Sequence, residues 1–327
     1  MIPTHNRGDL IAHTIDSVLT QKFPAAEVIV IDDASTDNTK EVIAKFGSRV
    51  VYRKITWSGV QAARNLGIKL SRTSWIALCD SDDLWRADHL ALQAELILSN
   101  PDLNFVFSNT SFVIDGRWLP ENKFYQTPPG YWDRIDFSRE GRAIVFKGSL
   151  VPLSISEYNL VLMSAVSFTR DLVNHVGYFD PRLRDIKSED WEFTLRCLYS
   201  GRVGAVLEPT VGVRRHAGNS TTSQAAVSDG DAKILEFVLR HHSESEPYRA
   251  LIEAEIKKRY ARAFDSAFVE MNHELVKKIY TSLPADYRTA LRQLKRIISS
   301  LPDPTARTLN AALQTTREAV ARLSAKA

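Results

Sequence analysis

Three carboxylates in four residues, Asp80-Ser81-Asp82-Asp83, follow directly on the apolar run Trp75-Ile76-Ala77-Leu78-Cys79. Such a run reads as a buried strand, and open α/β sheets bind ligands at the carboxyl ends of their strands. Acids crowded there repel one another, and a divalent cation or a cation-bound nucleotide diphosphate relieves the repulsion. Asp-x-Asp is a weak signal by itself, because solvated turns also carry it. A second cluster, Asp32-Asp33, ends the run Val28-Ile29-Val30-Ile31. An acid there can accept a base imino proton or ribose hydroxyls. Helix capping accounts for Ser35, Asp37 and Asn38 but not for two adjacent aspartates after a buried strand. A third pair, Glu189-Asp190, opens a helix. Acids suit a helix N-terminus on electrostatic grounds, and an aspartate facing a bound hydroxyl can also take its proton. Arg214-Arg215-His216, before Gly218-Asn219-Ser220, offers phosphate-neutralising cations and an imidazole for a metal shell, or a solvated basic turn.

Strand ends must be brought together for these acids to cooperate. Leu10, Ile11, Ile15, Val18 and Leu19 form a helical stripe, a capped helix runs on to Gly47, Val50-Val51-Tyr52 makes a strand, and a helix spans Val60 to Leu70. This alternation predicts a mostly parallel sheet with helices on both faces. Met1-Ile2-Pro3-Thr4 leaves room for only a stub of first strand, so either residues are missing upstream or a short edge strand suffices. Further on, Phe105-Val106-Phe107 reads as a strand. Pro128-Pro129-Gly130-Tyr131-Trp132 reads as an ordered loop with exposed rings, suited to stacking on sugars or bases or to forming a loop core. Regular structure returns with Ser164 to Thr169, followed by a helix at Asp190 to Tyr199 and a strand at Val203 to Leu207. Beyond about residue 224 the apolar periodicity is helical only, divided by Pro247, Pro284, Pro302 and Pro304.

Composition is that of a globular chain: 327 residues, 44% apolar and 25% charged, with a net charge of +3. Residues 232–327 hold 17 Lys and Arg against 11 Asp and Glu, so the tail is the basic part. No nucleic-acid partner is expected. Cys79 and Cys197 lack metal-type spacing and read as buried free thiols in a reducing compartment. With no membrane-length apolar run and no basic-then-apolar leader, a cytoplasmic location is expected, extending to a peripheral site at the inner face of the membrane. Pro3 to Gly8 contains one glycine, and no phosphate-binding Gly-rich loop is present, so a nucleotide would have to be held another way.

Pro3-Thr4-His5-Asn6-Arg7, Val28 to Thr39, Gly59 with Ala63-Arg64-Asn65, Asp80 to Asp83, Gly177-Tyr178-Phe179-Asp180, Glu189-Asp190-Trp191 and Arg214 to His216 together resemble the family 2 glycosyltransferases of the GT-A fold in order and spacing. The resemblance implies a Rossmann-like α/β catalytic domain over residues 1–223, a mostly parallel sheet flanked by helices, followed by an all-helical region over 224–327. It implies that Asp33 reads the nucleobase, with Pro3, Thr4 and His5 lining the pocket, although the family often has Tyr where His5 stands. Asp80 would approach the ribose, and Asp82, helped by His216, would ligate Mg²⁺ or Mn²⁺. Arg64 would be a phosphate contact or a buried structural partner, and Asp83 a cap for the following turn. Asp190 would be the catalytic base, with Glu189 orienting it or the acceptor. The function implied is inverting transfer of a single sugar from a nucleotide-diphosphate sugar, a UDP-sugar first, to a glycan or lipid-linked saccharide, in bacterial surface polysaccharide or glycoconjugate assembly. A non-catalytic nucleotide-sugar-binding homologue and a metal-dependent nucleotidyltransferase are the rival readings. The helical tail is expected to pack on the catalytic domain or dimerise, with peripheral membrane contact as the alternative.

Overall fold

The computed structural model describes residues 1–216 and 223–324; Gly218-Asn219-Ser220 lie outside the described residues. The chain begins with β1 (Ile2–Thr4), α1 (Ile11–Leu19), β2 (Ile29–Asp33), α2 (Thr39–Ala44), β3 (Val51–Ile55) and α3 (Val60–Leu70). The three strands pair in parallel in the order β1-β2-β3, with Ile2 opposite Val30 and Val30 opposite Tyr52. Ile2, Ile11, Ile15, Val18, Val30, Val42 and Ile43 share one core, which is why β2 reads as an unbroken apolar run: a helix-covered strand has no solvated face to alternate with.

Next come β4 (Trp75–Ala77), β5 (Leu84–Trp85), α4 (His89–Ser99), β6 (Phe105–Ile114), β7 (Arg117–Asn122), β8 (Phe137–Glu140), β9 (Ala143–Phe146), α5 (Val151–Ser156), β10 (Val166–Thr169), α6 (Arg170–Val176), α7 (Glu189–Ser200) and β11 (Val203–Arg214). Their sheet runs β4-β10-β6-β11-β9-β8, with β5 on β11 and β7 on β6. Hydrogen bonds from Met1 N to the Ala77 carbonyl (2.9 Å) and from Cys79 N to the Met1 carbonyl (3.1 Å) set β4 beside the short β1. The α/β architecture with flanking helices is as expected, but the sheet is mixed. Parallel pairing is confined to β1-β2-β3 and to β6 with β11; the other pairs are antiparallel. Short hairpins force this where β6 meets β7 through Asp115-Gly116 and where β8 meets β9 through Gly141, all three residues at positive φ.

The loop after β7 corrects another expectation, since its rings are mostly inside. Tyr131 is 1% exposed and its hydroxyl donates to the Tyr158 carbonyl at 3.0 Å, so this aromatic run is a loop core.

The described residues fall into two compact units, 1–185 with 189–216 and 186–188 with 223–324. The second is helical: α8 (Gln224–His241), α9 (Arg249–Val269), α10 (His273–Ser282), α11 (Ala290–Ile298) and α12 (Asp303–Ser324). Pro247, Pro284 and Pro302 lie between successive helices, where a missing N–H does least harm. Its core gathers Tyr260, Phe264, Phe268, Val276 and Ile279.

Candidate active site

Each acid cluster stands where a strand or helix boundary delivers it. Asp32 and Asp33 close β2, and their side chains take opposite directions, as successive residues of a strand must. Asp32 accepts from Ser35 N and from the Tyr52 hydroxyl, both at 2.7 Å. Asp33 is buried and accepts from Ser58 N at 2.7 Å and Gly59 N at 2.8 Å, so it anchors the start of α3.

Pro3 and Thr4 lie buried in β1, and Thr4 Oγ1 is buried without a partner. His5 Nδ1 lies 2.6 Å from the Asp33 carbonyl and must donate to it, which leaves Nε2 to accept from Asn6 Nδ2 at 3.1 Å. The residues after His5 and Asp33, Asn6 and Ala34, hold φ of 47° and 61°, backbone that only the surrounding bonds sustain. Trp57, 55% exposed, sets its ring against His5 with centroids 4.4 Å apart, and the Arg184 guanidinium lies 5.3 Å over its centroid. Gln61, in the first turn of α3, is buried with neither amide atom partnered.

Arg64, one turn on, joins two of the clusters. Buried in α3, it reaches Asp80 at 3.0 Å through Nη2 and Glu189 at 3.5 Å through Nη1, with Phe179 beneath its guanidinium. Asn65 fixes that ring's segment by bonding both the N–H and the carbonyl of Phe179, at 2.9 and 2.8 Å. Burial and then repulsion from Asp190 push the Glu189 carboxyl up to about 7, against the pull of Arg64. Burial likewise raises Asp190, with Arg64 opposing. Both acids open α7, where the helix N-terminus tempers their charge.

The four-residue acid run after β4 is divided in use. Asp83 is fully enclosed: Ser164 Oγ donates to it at 2.5 Å while accepting from Asp80 N at 2.9 Å, and Arg214 N donates at 3.3 Å. Its role is to tie the run to the Ser164 turn and to β11, a longer-range task than capping its own turn. Asp80 and Asp82 remain 31% and 21% exposed at the side chain. Asp82 Oδ2 lies 3.2 Å from His216 Nε2 and 3.5 Å from Arg7 Nη2. A carboxylate and an imidazole at this spacing suit two positions of a Mg²⁺ or Mn²⁺ shell. Among the described residues no group of three or more His, Cys, Asp or Glu converges, so the other ligands would come from diphosphate oxygens and water. Arg214, expected to meet phosphate, donates instead to the Asp82 and Leu10 carbonyls and to Thr14 Oγ1.

The structure thus brings Asp80 and Glu189 together through Arg64, and Asp82 with His216. Sequence reading missed Trp57, Gln61 and Ser164. Trp57 alone carried a signal, since Thr56-Trp57-Ser58-Gly59 follows β3 as the acid runs follow β2 and β4.

Comparison with known proteins completes the picture. The family model described as Glycosyl transferase family 2 matches residues 1–153. The succinoglycan biosynthesis protein ExoO of Rhizobium meliloti is 30% identical over 257 residues, 74% of this chain and 68% of its own length. An Escherichia coli UDP-Glc:alpha-D-GlcNAc-diphosphoundecaprenol beta-1,3-glucosyltransferase, WfgD, is 33% identical over 129 residues, 38% of this chain and 51% of its own. Against other curated relatives the match spans between 16% and 51% of their length. Among solved structures, S. aureus TarS in complex with UDP-GlcNAc superposes with a TM-score of 0.58 at 18% identity, over 96% of this chain and 90% of that one.

Proposed function

The chain belongs to glycosyl transferase family 2, and we propose that it moves one sugar from a nucleotide-diphosphate donor to an acceptor hydroxyl, inverting the anomeric centre. The observation that carries this reading is Arg64, whose contacts to Asp80 and Glu189 bind the donor-side acids and the helix bearing Asp190 into one cluster. In this reading Thr4, His5 and Trp57 line the base pocket, with Pro3 and Asp33 shaping its floor, and Asp80 meets the ribose. The unpartnered buried atoms of Thr4 and Gln61 support a polar ligand there. Asp82 and His216 would hold Mg²⁺ or Mn²⁺, which when bound would offset charge on the departing diphosphate.

Asp190 accepts the proton of the acceptor hydroxyl as its oxygen attacks the anomeric carbon. The bond to the diphosphate breaks on the opposite face and its electron pair leaves with the nucleotide, so a single displacement inverts configuration. Glu189, held by Arg64, orients the base or the acceptor.

A UDP-sugar donor and a lipid-linked saccharide acceptor follow the name of the E. coli relative, and glycan assembly follows that of ExoO. The free buried thiols Cys79 and Cys197 support a reducing, cytoplasmic setting. No described helix is long and apolar enough to cross a membrane. The exposed Leu291, Leu294 and Ile297 of α11 support contact of the helical unit with a second copy or a membrane surface.

A donor screen with Mn²⁺, read as nucleotide diphosphate released, tests the reading. Asp190→Asn should slow transfer by about 10²–10⁴-fold; an unchanged rate would mean that Asp190 is not the base. Because burial raises both acids, and Glu189 to about 7, transfer should fall as pH drops through about 7. A rate flat from pH 8 to about 5 would remove these carboxyls from the chemistry.

A further inference from the structure

Lys123 follows β7 directly, and its position is fixed from both sides. Asn109, buried in β6, donates to Asn122 Oδ1 at 2.8 Å and accepts from Phe124 N at 3.1 Å. The Lys123 ammonium lies 4.7 Å over the ring of Tyr158, whose backbone carbonyl is held by the Tyr131 hydroxyl. Four residues before Tyr158, Ser154 accepts from Trp191 Nε1 at 2.9 Å, so this segment is tied to the helix that carries Asp190.

Only the aromatic face receives the cation: Lys123 Nζ has no hydrogen bond or ion pair among the described residues. A partly desolvated ammonium without an anion is costly. Burial lowers it to about 8, with Asp190 the one carboxylate that opposes the shift. The Ser154 bond ties the segment beneath Lys123 to Trp191, the residue after Asp190, whereas the acids assigned to the donor diphosphate, Asp80 and Asp82, are held by Arg64, Arg7 and His216.

Resting on the transferase reading above, we infer that Lys123 is an acceptor-binding residue whose ammonium holds a phosphate oxygen adjoining the accepting sugar. A lysine serves phosphate as a point charge with three donors, and Tyr158 keeps that charge in place without neutralising it. The site thereby selects acceptors that carry phosphate, either a lipid diphosphate or the phosphodiester of a polymer.

Acetic anhydride labelling of the full chain, read by peptide mass spectrometry, tests this without a known acceptor. Methyl diphosphate mimics the lipid-linked group and dimethyl phosphate the polymer, each compared with chloride at matched ionic strength and with UDP and Mn²⁺ present. Either probe should slow acetylation of Lys123 by about threefold or more, with the exposed Lys147 as unchanged reference. Protection by methyl diphosphate assigns the lipid source, and protection by dimethyl phosphate assigns the polymer. Protection by UDP alone would place Lys123 on the donor, and protection by none of the three would remove it from anion binding; both overturn the inference. UDP binding, read separately by calorimetry, tests the transferase reading, and the phosphate arms are decided whether or not UDP binds.

Discussion

The two aspartate clusters that close β2 and follow β4 look alike in sequence, yet the fold uses them in opposite ways. Asp32 and Asp33 are both buried and both committed to groups of their own domain: Ser35 N and Tyr52 for one, Ser58 N and Gly59 N for the other. After β4 only Asp83 is enclosed, while Asp80 and Asp82 stay partly exposed and face Arg64, His216 and Arg7. A carboxylate satisfied by several backbone N–H groups shapes a pocket. One left facing side-chain cations retains capacity for a ligand. Position in the sequence does not distinguish these jobs; the partners do.

Three substitutions would break or sharpen that contrast. Asp82→Asn should have the largest effect, cutting transfer by about 10²–10³-fold while thermal unfolding stays within about a degree of wild type, since exposed polar changes cost little. A large loss of stability would instead class Asp82 with the enclosed acids. Ser164→Ala removes the hydroxyl that serves both Asp83 and Asp80 N. It should cost about 1–3 kcal/mol in denaturant unfolding, and an unchanged midpoint would show that Asp83 needs no such tie. Trp57→Ala tests the first cluster at its exposed rim and should raise the donor KM by about tenfold with little change in kcat, as loss of base stacking would. Equal falls in kcat and kcat/KM would point to the chemistry rather than the base.

The helices of the second unit and the strand–helix alternation of residues 1 to 100 were legible because amphipathic period and chain punctuation are local properties. Of the sheet beyond β4, only the apolar starts of β6 and β11 were. β6 and β11 each extend well past their apolar starts, to Ile114 and Arg214, through Ser108-Asn109-Thr110-Ser111 and Pro209-Thr210. Those polar residues are buried yet bonded, as Asn109 is to Asn122 and Leu207, so polarity there was no sign of a loop. The rings at Tyr131 and Trp132 misled in the other sense, since a Pro-Gly-rich loop can fold its own aromatics inward.

Sequence alone determined which acids end strands, that a helical region follows an α/β one, and which family pattern residues 1–223 resemble, because residue type and spacing along the chain carry that information. Only the tertiary structure decided which of those acids are enclosed and which stay partly exposed. It paired Arg64 with both Asp80 and Glu189 across 16 and 125 residues of chain, closed Ser164 over Asp83, and left Lys123 resting on Tyr158. Such pairings depend on which surfaces the sheet brings together and on what burial then does to the charges, and no local pattern in the chain encodes either.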